Sequence, residues 1–369
     1  MTVLVRSRLG VYRLLLRIVR SLRSHLGLEK TTYVQQRVPE YRRYWEQAAS
    51  DLSADFRVLS ESIWEVSRGG ARTRLANYVT EFDDPVTLAL AGDKPLIYRL
   101  AQAERVPVPE YVVVDPGAPR LALDFHRNSG PCVVKPARDT SSGLGVTTYV
   151  TSRRGLLWAI ARASMFCPEV MVEALVPGES YRLLFLEGRM IHAVRRRGTR
   201  VTGDGIGTVR QLVTRAHRAR LDRIGELTLA AQGLSADAVP PAGASVLVRG
   251  LPAGETRQRE LRTVYDEDVT ALIAADVVVQ LLPLVRRVGA SFAGVDVVSV
   301  DPALPLRPGA AAMIEINTTP GIHHHHVPGT PAERFAVAEV VLERLLARAV
   351  RDAQSARAAI ATAPLEAGR

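Results

Sequence analysis

Two apolar runs in the second half of the chain carry polar residues at alternating positions. "AGVDVV" at 293–298 and "MIEINTTPGI" at 313–322 are rich in Val, Ile and Met, and the connection "DPALPLRPGA" is laden with Pro and Gly, which predicts two strands joined as a hairpin. A similar run, "CVVKPA" at 132–137, is followed by the small, Gly-containing loop "RDTSSGLGV" and another strand-like run. "MVEALVPGES" at 171–180 reads as a strand entering a Pro-Gly turn. In "AGDKPLIYRLAQAERVPVPEY" at 91–111 the pattern changes to a helical one, with Asp93 as N-cap, Pro95 in the first turn and Leu96, Leu100 and Ala101 on an apolar face. Residues 31–90 predict a small α/β cap: a helix around "RRYWEQAASDL", a strand around "FRVLSESIWEV" and a turn at Gly69 and Gly70.

The first thirty residues have a separate pattern. At ~100° per residue, Arg6, Arg13, Arg17 and Arg20 fall on one helical face and Val11, Leu14, Leu15, Ile18 and Leu22 on the other. Arginines at 13 and 17 exclude a spanning helix, so the segment is expected either to lie on an anionic membrane surface or to pack on a partner, a second subunit or its own protein. It also carries +6 of the formal net charge of +10, leaving no basic face elsewhere that would suit nucleic acid. At the other end an Ala-rich tail is expected to begin as helix and fray. At 369 residues the chain can bury a large core divided into two or three domains. Its two cysteines, Cys132 and Cys167, are too few for a disulfide framework, and with no signal peptide or long apolar span the expectation is a cytoplasmic enzyme with at most a peripheral membrane contact.

Chemistry concentrates on the predicted hairpin and on the lysines. Side chains alternate along a strand, so Glu315 and Asn317 share a face on which Asp296 of the paired strand can converge. Three oxygen ligands suit a hard divalent cation such as magnesium, which completes its octahedron with substrate phosphates; the alternative is an ordinary polar face of a half-exposed sheet. Only Lys30, Lys94 and Lys135 are lysines among 48 basic residues. A compact ammonium differs from a guanidinium as a phosphate counter-charge, which singles out Lys135, before the Gly143 and Gly145 loop, and Lys94, at a helix start. No Walker loop or G-x-G-x-x-G occurs.

In this order, the segments around Lys94, Lys135, the Gly loop, "MVEALVPGES" and the Asp296–Asn317 hairpin resemble the ATP-grasp superfamily. They are most similar to the ligase half of cyanophycin synthetases and the ligase module of bifunctional glutathione synthetases. The resemblance covers roughly residues 90–330, including "YRLLFLEGRMIHAVRRRGTRVTGDGIGTVRQLV" as strand, turn, strand, G-D-G loop and helix. It implies an α+β fold in which two subdomains clasp ATP: a central one over 91–177 and a C-terminal one over 178–350, between the cap at 31–90 and a tail at 351–369. It further implies Lys94 and Lys135 on the ATP phosphates, with Ser141, Ser142, Gly143 and Gly145 as a lid. Glu173 would meet the adenine amino group, Val176 the ring through its backbone, and Glu179 the ribose. Asp296, Glu315 and Asn317 would hold magnesium, with manganese able to substitute. Arg196 best matches the arginine on the acyl phosphate, with Arg195 and Arg197 beside it and Arg182 as a second candidate.

The sequence also departs from these relatives. Cyanophycin synthetases continue into a Mur-ligase-like domain, whereas Arg369 follows an Ala-rich tail here, so one ligation is expected rather than two. After Pro320–Gly321 come His323, His324, His325 and His326, read either as a substrate-carboxylate clamp (His323, His324) or accessory metal site, or as a surface turn with partly solvated imidazoles. The expected activity is ADP-forming ligation of a carboxylate, activated as acyl phosphate, to an amine on an amino acid or short peptide, by a homo-oligomer. Alternatives are a modifier of a protein or ribosomal peptide, a non-catalytic nucleotide-binding regulator, or an adaptor resting on residues 1–30 alone.

Overall fold

The computed structural model describes residues 18, 38–140, 143–197, 199–217, 221, 225–226, 229, 232–249, 265–326 and 336–362. Of the basic amphipathic segment only Ile18 falls within them, so the expectations for residues 1–30 lie outside the described residues.

Helix α1 (Val38–Asp51) buries Tyr41, Trp45, Ala48 and Ala49, a spacing that keeps one face inward. It packs on an antiparallel meander of β1 (Asp55–Val58), β2 (Ile63–Arg68), β3 (Ala71–Ala76) and β4 (Val79–Thr80). The single strand expected over 56–66 is thus two. The short polar sequence Ser60-Glu61-Ser62 turns the chain back, with the Leu59 and Ser60 N–H groups both donating to the Ile63 carbonyl at 3.0 and 3.1 Å. Trp64 and Val66 of β2 and Ala71, Thr73 and Leu75 of β3 face inward with a period of two, and Trp45 Nε1 donates to the Asn77 carbonyl at 2.9 Å.

Helices α2 (Pro85–Gly92) and α3 (Lys94–Ala103) meet at Asp93, whose carboxylate caps α3 by accepting from Leu96 N–H at 2.9 Å. A central unit follows: β5 (Tyr111–Val114), α4 (Arg120–Ser129), β6 (Cys132–Pro136), β7 (Thr147–Val150), α5 (Arg153–Ser164) and β8 (Val170–Ala174), with sheet order β5-β8-β6-β7. Val114, Ala122, Cys132, Val134, Leu156 and Ile160 give it a core of its own.

Then come β9 (Glu179–Leu186), β10 (Arg189–Arg197), β11 (Thr199–Thr202), α6 (Val209–His217), β12 (Ser245–Arg249), β13 (Tyr265–Asp268), α7 (Ala275–Val288), β14 (Phe292–Ser299), β15 (Ala311–Asn317) and α8 (Val337–Thr362). The β9–β10 turn is Glu187-Gly188, both with positive φ, as a tight two-residue hairpin requires. β11, β12 and α6 form a small lobe around Val201, Val209, Val246 and Val248. The remaining strands form an antiparallel sheet of order β13-β10-β9-β14-β15, which is the middle layer of the molecule. On one face Leu183, Phe185, Val295 and Met313 pack on α3 and α7; on the other Leu184, Leu186 and Phe292 meet the N-terminal cap and α8.

The hairpin expected from the sequence is present, but β15 stops at Asn317 rather than continuing to 322. A bend through Thr318 and Thr319 leads to Pro320, which has no N–H to donate, and a single 3₁₀ turn (Ile322–His325) follows. α8 runs through the expected boundary at 350 to Thr362. Among the described residues no helix is long and apolar enough to cross a membrane.

Candidate functional site

A cavity of about 550 Å³ opens between the central sheet and the large sheet. Lys94, Lys135, Gly143, Glu173, Val176, Asp296 and Glu315 all line it, so seven candidates spread over 222 positions of sequence meet in one place. The two lysines are brought together by backbone ties at the head of α3. Lys94 N–H donates to the Ala137 carbonyl at 3.1 Å, and Arg138 Nε donates to Asp93 at 2.7 Å, which fastens the helix start to the end of β6. Lys94 Nζ donates to the carbonyl and hydroxyl of Thr140 at 3.3 and 3.4 Å and stands 4.0 Å from Glu315. Lys135 Nζ lies 2.8 Å from Glu173 Oε2. Both lysines are only 6% exposed, and burial pushes the Lys94 ammonium below its usual pKa, with Glu315 opposing. Buried cations that line a cavity attract an anion.

The acidic side of the cavity comes from β14 and β15. Asp296 stands directly opposite Glu315, so the two carboxylates share a face, with Asn317 two residues further along. The register then slips from Asp296↔Glu315 to Val297↔Met313, a bulge at Ile314. The Ile314 carbonyl turns to the site, accepts from Lys135 Nζ at 3.4 Å and lies 3.1 Å from Tyr98 Oη. Asp296 is not an open acid: Arg182 Nε and Nη2 donate to its two oxygens at 2.7 and 2.6 Å, and Arg196 Nη1 lies 3.7 Å away. Each carboxylate oxygen has a second lone pair, so a cation can still be met from the cavity side. Asn317 is not among the residues lining the cavity, and its Nδ2 donor is buried with no hydrogen-bond partner among the described residues, so only its amide oxygen could serve a cation. Two carboxylates and an amide on adjacent strands therefore fit a hard cation, with two buried arginines behind them.

Not every candidate reaches the cavity wall. Glu179 is ion-paired with Arg195 Nη1 at 3.0 Å, and Arg195 also holds Glu267 at 2.7 Å. Gly145 adopts φ +76° with Pro136 and Phe166 so close that a Cβ would lie 2.7 and 2.8 Å from them, so it folds the loop back onto β6. Gly143 does line the cavity; Ser141 and Ser142 lie outside the described residues. Gly178 crosses β14 where a Cβ would stand 2.2 Å from the Ser299 backbone, which permits the turn after Val176 to close the cavity.

The histidine turn is not the solvated surface turn considered from the sequence. His324 and His325 are each 1% exposed, because the turn is wedged between α1 and β10. Tyr41 Oη and His323 Nδ1 are 2.5 Å apart, and the His326 ring stacks on Tyr44 with centroids 3.9 Å apart. His325 Nδ1 hydrogen-bonds His192 Nδ1 at 2.9 Å, and His192 Nε2 lies 3.5 Å from Asp268. Among the described residues no three His, Cys, Asp or Glu side chains form a metal-ligand cluster. Burial, then His192 and Arg182, hold His325 well below the usual histidine pKa, so it is neutral when folded. Its unfolded pKa is ~6.5. The stability it contributes is therefore present above pH ~6.5 and is lost as pH falls below that, at up to about 1.4 kcal/mol per pH unit. A thermal midpoint that drops between pH 6.5 and 5, and drops less steeply in His325→Gln, is the expected result; equal slopes would refute the assignment.

Sequence reasoning missed Tyr98. Its hydroxyl donates to Glu173 Oε2 at 2.6 Å and accepts from Lys135 at 3.2 Å. The signal was available: Tyr98 follows Lys94 by four residues on a helix, hence on the same face. Thr140 was missed too, and a lone threonine in a polar loop carries no such signal.

No family model matches the chain. It is 26% identical over 311 residues to a cyanophycin synthetase of a Nostoc species, covering 80% of this chain and 33% of the relative. To a glutathione biosynthesis bifunctional protein of Streptococcus mutans it is 28% identical over 280 residues, covering 71% and 35%. The chain spans about a third of the length of the curated relatives it matches. A solved bifunctional glutathione synthetase from Pasteurella multocida superposes with TM-score 0.57 over 82% of this chain and 43% of that one, at 22% identity.

Proposed function

We propose that this chain, an ATP-grasp protein by its fold and its relatives, is an ADP-forming ligase that joins a carboxylate to an amine on an amino acid or short peptide. The carrying observation is the cavity itself: two of the chain's three lysines are buried in its wall opposite Asp296 and Glu315.

The roles follow from position. Val133, Leu175, Val176 and Val298 give the cavity apolar walls that suit a nucleotide base, with Glu173 at its edge. Lys94 and Lys135 line the cavity and would neutralise charge on the phosphate chain as the γ-phosphoryl group moves. A substrate carboxylate oxygen attacks the γ-phosphorus, the bond to the β-bridging oxygen breaks and ADP leaves. An amine nitrogen then attacks the acyl carbon, phosphate departs and the nitrogen gives up its proton. Magnesium, which Asp296, Glu315 and Asn317 would hold, supplies charge neutralisation on the phosphate oxygens when bound. Arg182 and Arg196 both lie beside Asp296 and would meet the oxygen of the acyl group as charge develops there. Phosphoryl transfer asks the protein for positioning and electrostatics rather than a covalent nucleophile.

With ATP, magnesium and a panel of amino-acid pairs, the products should be ADP and phosphate. Hydroxylamine should trap the activated acid as a hydroxamate in the absence of amine. Release of AMP and pyrophosphate would overturn the reading.

A further inference from the structure

Tyr98 is fully buried, yet its hydroxyl touches three parts of the cavity wall: Glu173, Lys135 and the Ile314 carbonyl. It donates to Glu173 Oε2 at 2.6 Å, a short bond to a charged acceptor, while Lys135 Nζ donates to Tyr98 Oη at 3.2 Å and is ion-paired with the same Glu173 oxygen at 2.8 Å. Its ring stands edge-on to Tyr111 with centroids 5.1 Å apart and lies 5.1 Å from the Lys135 ammonium, so packing fixes the hydroxyl's direction. Burial first, and Glu173 next, raise the phenol well above its usual pKa, so it remains a donor at every working pH.

We propose that Tyr98 is a positioning residue that holds Glu173 as an acceptor-only reader of the nucleotide base. This rests on the nucleotide reading above. Both groups meet Oε2, so Oε1 is the oxygen with which Glu173 can accept from a base in the cavity that it lines. An ionised carboxylate held in this way accepts the exocyclic amino group of adenine and opposes the O6 acceptor of guanine. Without the hydroxyl, Lys135 alone anchors Glu173 and can draw it toward the phosphate end, so the carboxylate loses its aim at the base.

The test is direct binding by calorimetry of ADP and GDP, with magnesium, to the full chain and to Tyr98→Phe, which keeps the ring and its contact with Tyr111. The expected result is ADP affinity roughly 10-fold weaker and GDP affinity within about twofold of wild type, so that discrimination narrows. Equal losses for both nucleotides, or no loss, would overturn the role of Tyr98 while leaving the nucleotide site standing. A wild-type chain that binds neither would overturn both. Should Tyr98→Phe fail to fold, Tyr98→Met, of similar volume, carries the same comparison.

Discussion

Glu315→Gln leaves the fold intact and slows amide formation by at least ~100-fold, since it takes a charge and a ligand from the cation site together. Glu315 can be altered without structural damage because its side chain is 31% exposed and its ion pair with Lys94 is long, at 4.0 Å. The isosteric amide keeps the shape of β15. What it loses is the acid facing a buried ammonium, so Lys94 loses its largest favourable counter-charge as well. Turnover, magnesium dependence and thermal midpoint measured side by side decide the matter. Near-native turnover would remove Glu315 from the chemistry.

Asp296→Asn should behave differently, although Asp296 is the register partner of Glu315. Asp296 is 3% exposed and both its oxygens are held by Arg182, with Arg196 alongside. Asparagine offers one acceptor oxygen and no charge, which removes the two-point ion pair with Arg182 and the charge beside Arg196. Breaking a buried pair by removing one partner costs about 3–5 kcal/mol, or a thermal midpoint lower by roughly 5 °C. Activity and stability should therefore fall together at 296 and separately at 315. A urea midpoint for Asp296→Asn equal to that of the wild type would mean that the arginines do not depend on this acid.

The same contrast explains what could be read from the sequence. The Asp296 and Glu315 strands lie close in the chain, are joined by a short connection and carry their polar residues in a two-residue period, so their hairpin and shared face followed from local rules. Asp93 as N-cap and Pro95 after it were legible for the same reason. Lys94 and Lys135 stood out because arginine replaces lysine almost everywhere else. The partnership of Asp296 with Arg182 spans 114 residues and depends on β9 lying between β10 and β14, which no local pattern states. The bulge at Ile314 is invisible too, since an added strand residue looks like any other. The expected strand over 56–66 failed because Ser60, Glu61 and Ser62, three polar residues in a row, make a turn between two strands. The histidine turn was read by polarity, yet aromatic rings on α1 cover it.

The packing of α8 has a consequence for how the chain reaches its native state. Val341, Leu342, Leu345 and Leu346 complete the cluster that contains Trp45, Trp64 and Leu75, almost three hundred residues earlier. During synthesis those tryptophans emerge first and wait for their covering helix until nearly everything between has been translated. Contacts of such separation slow folding and leave apolar surface open to off-pathway association. A nascent chain halted before residue 337 should therefore recruit chaperones at the segment around Trp45 and Trp64, and protease resistance there should appear last, after the central sheet is already protected.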